Sequence, residues 1–182
     1  MAPGANTVAV GVPSGNDIPE TVTPSVGQTM TVRRSGTLTL FLDAASPSYM
    51  PVQAGATNIT TGIYRLRASN ENISFQSLGL RLTTGSPSSV VRVTVWDGTT
   101  QVGTGVFTGT NITTVVPISP AVVLPMGIDK QLPIKADFAQ VGTSQPGVEG
   151  DLSKIDYDNV NTTNTYGTGQ SSGIRIYASG ST

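Results

Sequence analysis

Alternation of apolar and polar side chains with a period of two constrains this chain more than any other feature. In "GTLTLFLD", Leu38, Leu40 and Leu42 share one parity and Thr37, Thr39 and Phe41 the other. An extended backbone therefore places the two sets on opposite faces of a sheet. "GIYRLRAS" repeats the pattern, with Tyr64, Leu66 and Ala68 turned inward and Ile63, Arg65 and Arg67 outward. "VVRVTVWDG" predicts Val91, Val93 and Val95 buried and Val90, Arg92, Thr94 and Trp96 outside. "KQLPIKADF" predicts Leu132, Ile134, Ala136 and Phe138 buried, with Lys135 and Asp137 on the wet side. Helical spacing of apolar residues is missing, and Gly or Pro interrupts most windows, so helix is excluded as the main element.

One segment breaks its own alternation. In "NISFQSLGLRLTT", Ile73 and Phe75 have a parity that Leu78, Leu80 and Leu82 do not share. Burying both sets requires one extra residue, which predicts a β-bulge near Gln76 and Ser77. Further strands are expected over 101–107, 112–118, 121–124, 152–157 and 173–177. Short half-buried strands separated by Gly, Pro, Asn and Ser clusters predict an all-β fold. The expected architecture is an antiparallel β-sandwich, Ig-like or jelly-roll-like, over residues 36–182. The immunoglobulin Cys-Trp-Cys pattern is absent. Residues 1–35, dense in Pro, Gly, Ser and Thr, read as an extended N-terminal arm or inter-module linker. Such an arm lends a strand to its own sheet or to a neighbour's through alternate side chains, and Val8, Val10, Val12, Met30 and Val32 are its candidate inserting residues.

The chemistry open to this chain is narrow. Among 182 residues there is no cysteine and no histidine. Disulfides, thiolate nucleophiles, Cys or His metal sites and the usual general base near neutral pH are thereby removed. A net charge of -1 with 12% charged residues leaves no basic excess for phosphates, so nucleic acid is not an expected partner. No apolar run approaches the roughly 18–20 residues that cross a bilayer, so membrane insertion is not expected. The start "MAPGANTVAV" lacks the basic and apolar regions of a signal peptide, as expected of a mature chain, a fragment or a cytosolic protein.

Four segments together carry a resemblance: "TMTVRRSGTLTLFLDAASPS", "GATNITTGIYRLRASNENISFQSLGLRL", "VTVWDGTTQVGTGVF" and "GIDKQLPIKADFA". They resemble a repeated β-sandwich module of long, modular, S-layer-like bacterial cell-surface proteins, especially those of the candidate phyla radiation. The matching motifs lie at 36–47, 68–73, 93–103 and 125–137. Departures are Trp96 where tyrosine is usual, Asn72 where aspartate is common, and Pro133 within the closing strand. A proline has no N–H for a ladder bond, so that strand is expected at an edge or beginning after Pro133. The resemblance implies a non-enzymatic structural module or subunit of an extracellular surface layer, stalk or filament. Its implied partners are copies of itself or neighbouring modules.

The competing expectation is a glycan-binding or adhesin module. Trp96 beside the Asp97-Gly98 turn is its candidate stacking platform, weighed against a purely architectural role covering a sheet edge. Arg65, Arg67, Arg81 and Arg92 fall on outward positions and would make a basic stripe if contiguous, for a cell-surface glycan or an acidic neighbour. Otherwise they are ordinary solvent-facing residues. "EGDLSKIDYD" gathers Glu149, Asp151, Asp156 and Asp158, a candidate Ca²⁺ site with Asp43, Glu71 and Asp97 as further oxygen donors. Lys154 among them, and a spacing unlike an EF-hand, favour solvated loop charge instead. No other cofactor is expected.

Overall fold

The computed structural model describes residues 9–10, 17–18 and 35–181. The chain divides into two units, Met1–Arg33 and Arg34–Thr182. In the first, β1 (Ala9–Val10) pairs antiparallel with β2 (Asp17–Ile18), setting Val10 opposite Asp17. Val8, Val12, Met30 and Val32 lie outside the described residues.

The second unit is built from β3 (Thr37–Leu42), β4 (Ile59–Ser69), β5 (Ile73–Thr84), β6 (Val90–Asp97), β7 (Thr100–Gly105), β8 (Thr113–Leu124), β9 (Asp129–Phe138), β10 (Lys154–Tyr157), β11 (Tyr166–Gly169) and β12 (Arg175–Ser181). Its strands run β5-β11-β12-β3-β4-β9-β6-β7-β8 and return to β5, closing a nine-stranded β-barrel. This overturns the expected open antiparallel sandwich, Ig-like or jelly-roll-like. Alternation reports that one face of each strand is dry, and a sandwich and a barrel satisfy it equally; what differs is whether the edges meet. Here β11, a glycine-containing segment with no alternation of its own, joins β5 to β12. β8 then bridges from β7 to β5. The tenth strand, β10, pairs only with the second half of β5, on the edge whose first half pairs with β11, and adds Ile155 and Tyr157 to the buried cluster.

Closure depends on close backbone approach. β7 and β8 share a single paired position, Gly103 with Ile118. A Cβ on Gly103 would lie 2.7 Å from a Val116 methyl and 2.9 Å from the Pro117 carbonyl oxygen, so only glycine lets β8 lean in there. Inside the ring, Leu38, Leu40, Leu66, Phe75, Leu80, Val93, Leu124 and Leu132 belong to one buried cluster. Truncating a fully buried aromatic such as Phe75 costs about 3–5 kcal/mol in such cores.

The bulge predicted in β5 is present. Ser77 faces Tyr166 and Phe75 faces Gly167, so two steps on β5 match one on β11 and Gln76 is the extra residue. Ile73 and Phe75 are thereby buried together with Leu78, Leu80 and Leu82. A second irregularity has no signal in the sequence. The register of β6 against β9 shifts between Val90 and Arg92, which buries Val90 and leaves Val91 54% exposed, the reverse of expectation. Leu42, expected inside, is 42% exposed at the end of β3. Asp137, expected in water, is buried beneath Arg92, and Thr94 is buried as well. Pro133 sits inside β9, paired with Ile63 of β4; the ladder to β6 begins only at Ile134, so the missing N–H falls where β9 has a single partner.

Every pairing in the ring is antiparallel except one: β12 runs parallel to β3, from Ala178 beside Leu38 to Ser181 beside Phe41. The barrel therefore has a pole where the chain enters at Gly36 and an opposite pole where β12 leaves. Turns 70–72, 98–99, 125–128 and 170–174 crown the entry pole. Loops 43–58, 85–89, 106–112 and 139–153 crown the exit pole. The ten residues of β9 run roughly 30 Å from the entry pole to the exit pole at about 3.3 Å per residue.

Candidate functional site

Trp96 is committed to the barrel wall. Its indole N–H donates to the Thr94 hydroxyl at 2.9 Å, and the Lys135 ammonium lies 4.1 Å from its ring centroid. β6 and β9 are neighbours, with Thr94 opposite Lys135, which is why the three side chains stack. A ring whose face is taken by a cation and whose N–H is taken by a hydroxyl offers a sugar little. Lys135→Ala is expected to shift the tryptophan emission and to cost about 0.5–1 kcal/mol in urea titrations. Saturable quenching of Trp96 by cell-wall sugars would contradict this assignment.

The four arginines do not form a stripe. Arg65 and Arg67 on β4 lie 3.8 and 3.1 Å from Asp129, and Arg65 also approaches Asp43 at 4.0 Å. Arg92 on β6 pairs with Asp137. Along β9, Arg65 sits opposite Gln131 and Arg92 opposite Asp137, about 20 Å apart. Arg81 belongs to β5, on another part of the ring, beside Asp156 of β10.

The acidic residues are similarly parted. Asp156 accepts from the Thr83 hydroxyl at 2.6 Å and meets the Lys154 ammonium at 2.9 Å. Asp158, fully buried, accepts the backbone N–H groups of Val160 and Asn161 and so shapes its own turn. Asp151 accepts from the Ser86 N–H, while Glu149 is exposed. Asp97 pairs with Lys130 at 2.8 Å. Asp43 accepts from the Ala45 N–H and the Gln131 amide, which hold its carboxyl below the usual range with help from Arg65 and against the effect of burial. Among the described residues no three acidic side chains converge on a point where Ca²⁺ would sit.

The most heavily bonded acid is Glu71, which sequence reading offered only as a remote calcium donor. It sits in the turn between β4 and β5, 7% exposed. One carboxylate oxygen accepts the Gly36 N–H at 2.8 Å and the Ser172 hydroxyl at 2.7 Å. The other accepts the N–H groups of Ser171 and Ser172 at 2.8 and 2.9 Å. The Ser172 hydroxyl, followed by the backbone donors, pulls its pKa down to about 2 against the opposing effect of burial. This clasp binds the start of β3 to the turn that launches β12, the two strands of the parallel seam. Its partners lie 35 and about 100 residues away, so no local motif announces it.

The exit pole holds a cleft of about 900 Å³ between loops 43–58 and 139–153. Leu42, Tyr49, Met50, Val148 and Leu152 line it, and all five are at least 42% exposed. Seam and clasp join the first and last strands of the barrel, β3 and β12, and the cleft lies at the pole where β12 leaves it. Comparisons of the chain with protein-family models, with curated proteins and with solved structures find no match.

Proposed function

We propose that this chain is a non-enzymatic, load-bearing module of an extracellular bacterial surface assembly such as a layer, stalk or filament. The observation that carries this reading is the parallel pairing of β3 with β12. Tension applied through Gly36 and Ser181 pulls these neighbours in opposite directions along their length. The ladder between them then shares the load in shear instead of opening one bond at a time. Glu71 ties the head of the same seam shut. The motif resemblance to modular cell-surface proteins agrees with this role, as do the absence of histidine and cysteine and, among the described residues, the pairing of ten charged side chains with one another. Association with copies or neighbouring modules through the N-terminal arm is part of the same proposal.

Single-molecule pulling tests it. Loaded between residues 35 and 181, the barrel is expected to unfold at several-fold higher force than when loaded between 35 and the Gly98 turn, which peels strands from the entry pole. Forced unfolding follows the unfolding barrier, so equal equilibrium stability does not mask the contrast. Equal forces in the two geometries would sink the load-bearing reading. Light scattering after size exclusion, with and without residues 1–35, tests the arm: loss of assemblies on truncation is the expected result.

A further inference from the structure

We infer that the exit-pole cleft takes a small organic cation, a protonated amine carried on an apolar body. Its volume of about 900 Å³ falls within the roughly 300–1,000 Å³ of sites that enclose a small molecule. Leu42, Met50, Val148 and Leu152 give it an apolar wall whose removal from water holds the body of the ligand.

The sign of the ligand's charge follows from the other side chains around that wall. The charged residues lining the cleft are the carboxylates of Glu149, Asp151 and Asp156 and the ammonium of Lys154. Lys154 is bound to Asp156 at 2.9 Å. The uncompensated charge is therefore negative and sits on Glu149 and Asp151, which form no ion pair among the described residues. One Asp151 oxygen accepts the Ser86 N–H at 2.9 Å and the Ser153 hydroxyl at 3.4 Å. Its other oxygen and both oxygens of Glu149 accept nothing from the described residues. Acceptors left open in this way suit an ammonium group, whose N–H bonds to carboxylate are charge-assisted. Tyr49, 82% exposed on the same cleft, adds an aromatic ring that attracts a cation further. An anion of the same size meets unpaired carboxylates and no unpaired cation, so the cleft discriminates by charge as well as by shape.

Octylammonium, octanol and octanoate share one apolar chain and differ in charge. Each is titrated into the full chain as a monomeric solute, with NMR shifts of Tyr49 and Leu152 as the readout. Saturable shifts at both residues are expected, octylammonium binding about tenfold more tightly than octanol through two exposed charge contacts and one cation–π contact. Octanoate should bind more weakly than octanol. Raising salt from about 0.05 to about 0.5 M should shrink the advantage of octylammonium severalfold. In the double variant Glu149→Gln and Asp151→Asn, which keeps an acceptor oxygen for the Ser86 N–H, octylammonium should fall to the level of octanol. Equal binding of octylammonium and octanoate, an ammonium preference that survives in the double variant, shifts confined to other residues, or no saturable shift with any of the three would each overturn the assignment. So would octylammonium binding that weakens as protein concentration rises, because a second copy then fills the cleft. The unfolding force between residues 35 and 181 depends on none of these outcomes.

Discussion

Alanine at Glu71 is expected to lower the unfolding free energy by roughly 2–4 kcal/mol, because four donors lose one charged acceptor and the Gly36 N–H among them is buried. The effect carries a pH signature. The folded carboxyl has a pKa of about 2 against an ordinary 4.5, so the unfolded chain takes up its proton first as acid is added. Stability from the clasp is therefore complete above about 4.5 and is lost as pH falls through about 2. Asp43 and Asp137 add to the same acid limb. For Asp137, burial acts upward and is outweighed by the Asn58 N–H and by Arg92, leaving its carboxyl below the ordinary range. Urea titrations of wild type and Glu71→Gln from neutral pH downward measure this share. The gap between the two proteins should narrow as the pH falls toward 2. A gap independent of pH would mean that the carboxylate charge is not what holds the turn.

Valine at Gly180 is the second large perturbation. A Cβ there would sit 2.6 Å from the Leu40 carbonyl oxygen across the parallel seam, and that obstacle is backbone, which cannot rotate aside. Overpacking of this kind costs about 1–3 kcal/mol. The loss in pulling force between residues 35 and 181 should be larger in proportion, because the substitution pries apart the four register pairs that bear the load. Gly62→Ala is the control. Its Cβ would meet Leu42 and Tyr64 side chains at 3.8 and 3.9 Å, ordinary contacts, so it should be neutral or stabilising by up to about 1 kcal/mol. If Gly180→Val leaves the unfolding force at the wild-type value while Gly62→Ala also leaves it there, β12 does not carry the tension.

Reading the chain succeeded where the cause is local. Leu38, Leu40, Tyr64, Leu66, Ala68, Leu132, Ile134 and Ala136 are buried as their parity requires. The Gln76 bulge was legible because burying both halves of β5 leaves a counting problem with one solution. Val90 and Val91 exchanged places because either of two adjacent valines satisfies the pattern, and the choice is made by the register against β9. Tyr166–Gly169 carries no strand signal of its own: "YGTG" has no apolar alternation, and its pairing is imposed by β5 on one edge and β12 on the other.

Among candidate site residues the division is the same. Arg65, Arg67 and Arg92 were correctly placed on outward faces, but outwardness says nothing about neighbours, and Asp129 and Asp137 answer them across strands. Asp156 and Asp158 are close in sequence and serve different hydrogen-bond partners. Glu71 stood out by no spacing at all.

The amino-acid order alone determined that this protein is all-β, that most strands bury one parity, and that imidazole and thiol chemistries are closed to it. Those properties follow from side-chain identity and the two-residue repeat of an extended backbone. Tertiary structure alone decided that the sheet closes, that β12 lies parallel to β3, and that Glu71 locks their junction. These depend on which edges meet, and edges are made of backbone N–H and C=O groups that nearly every residue carries alike.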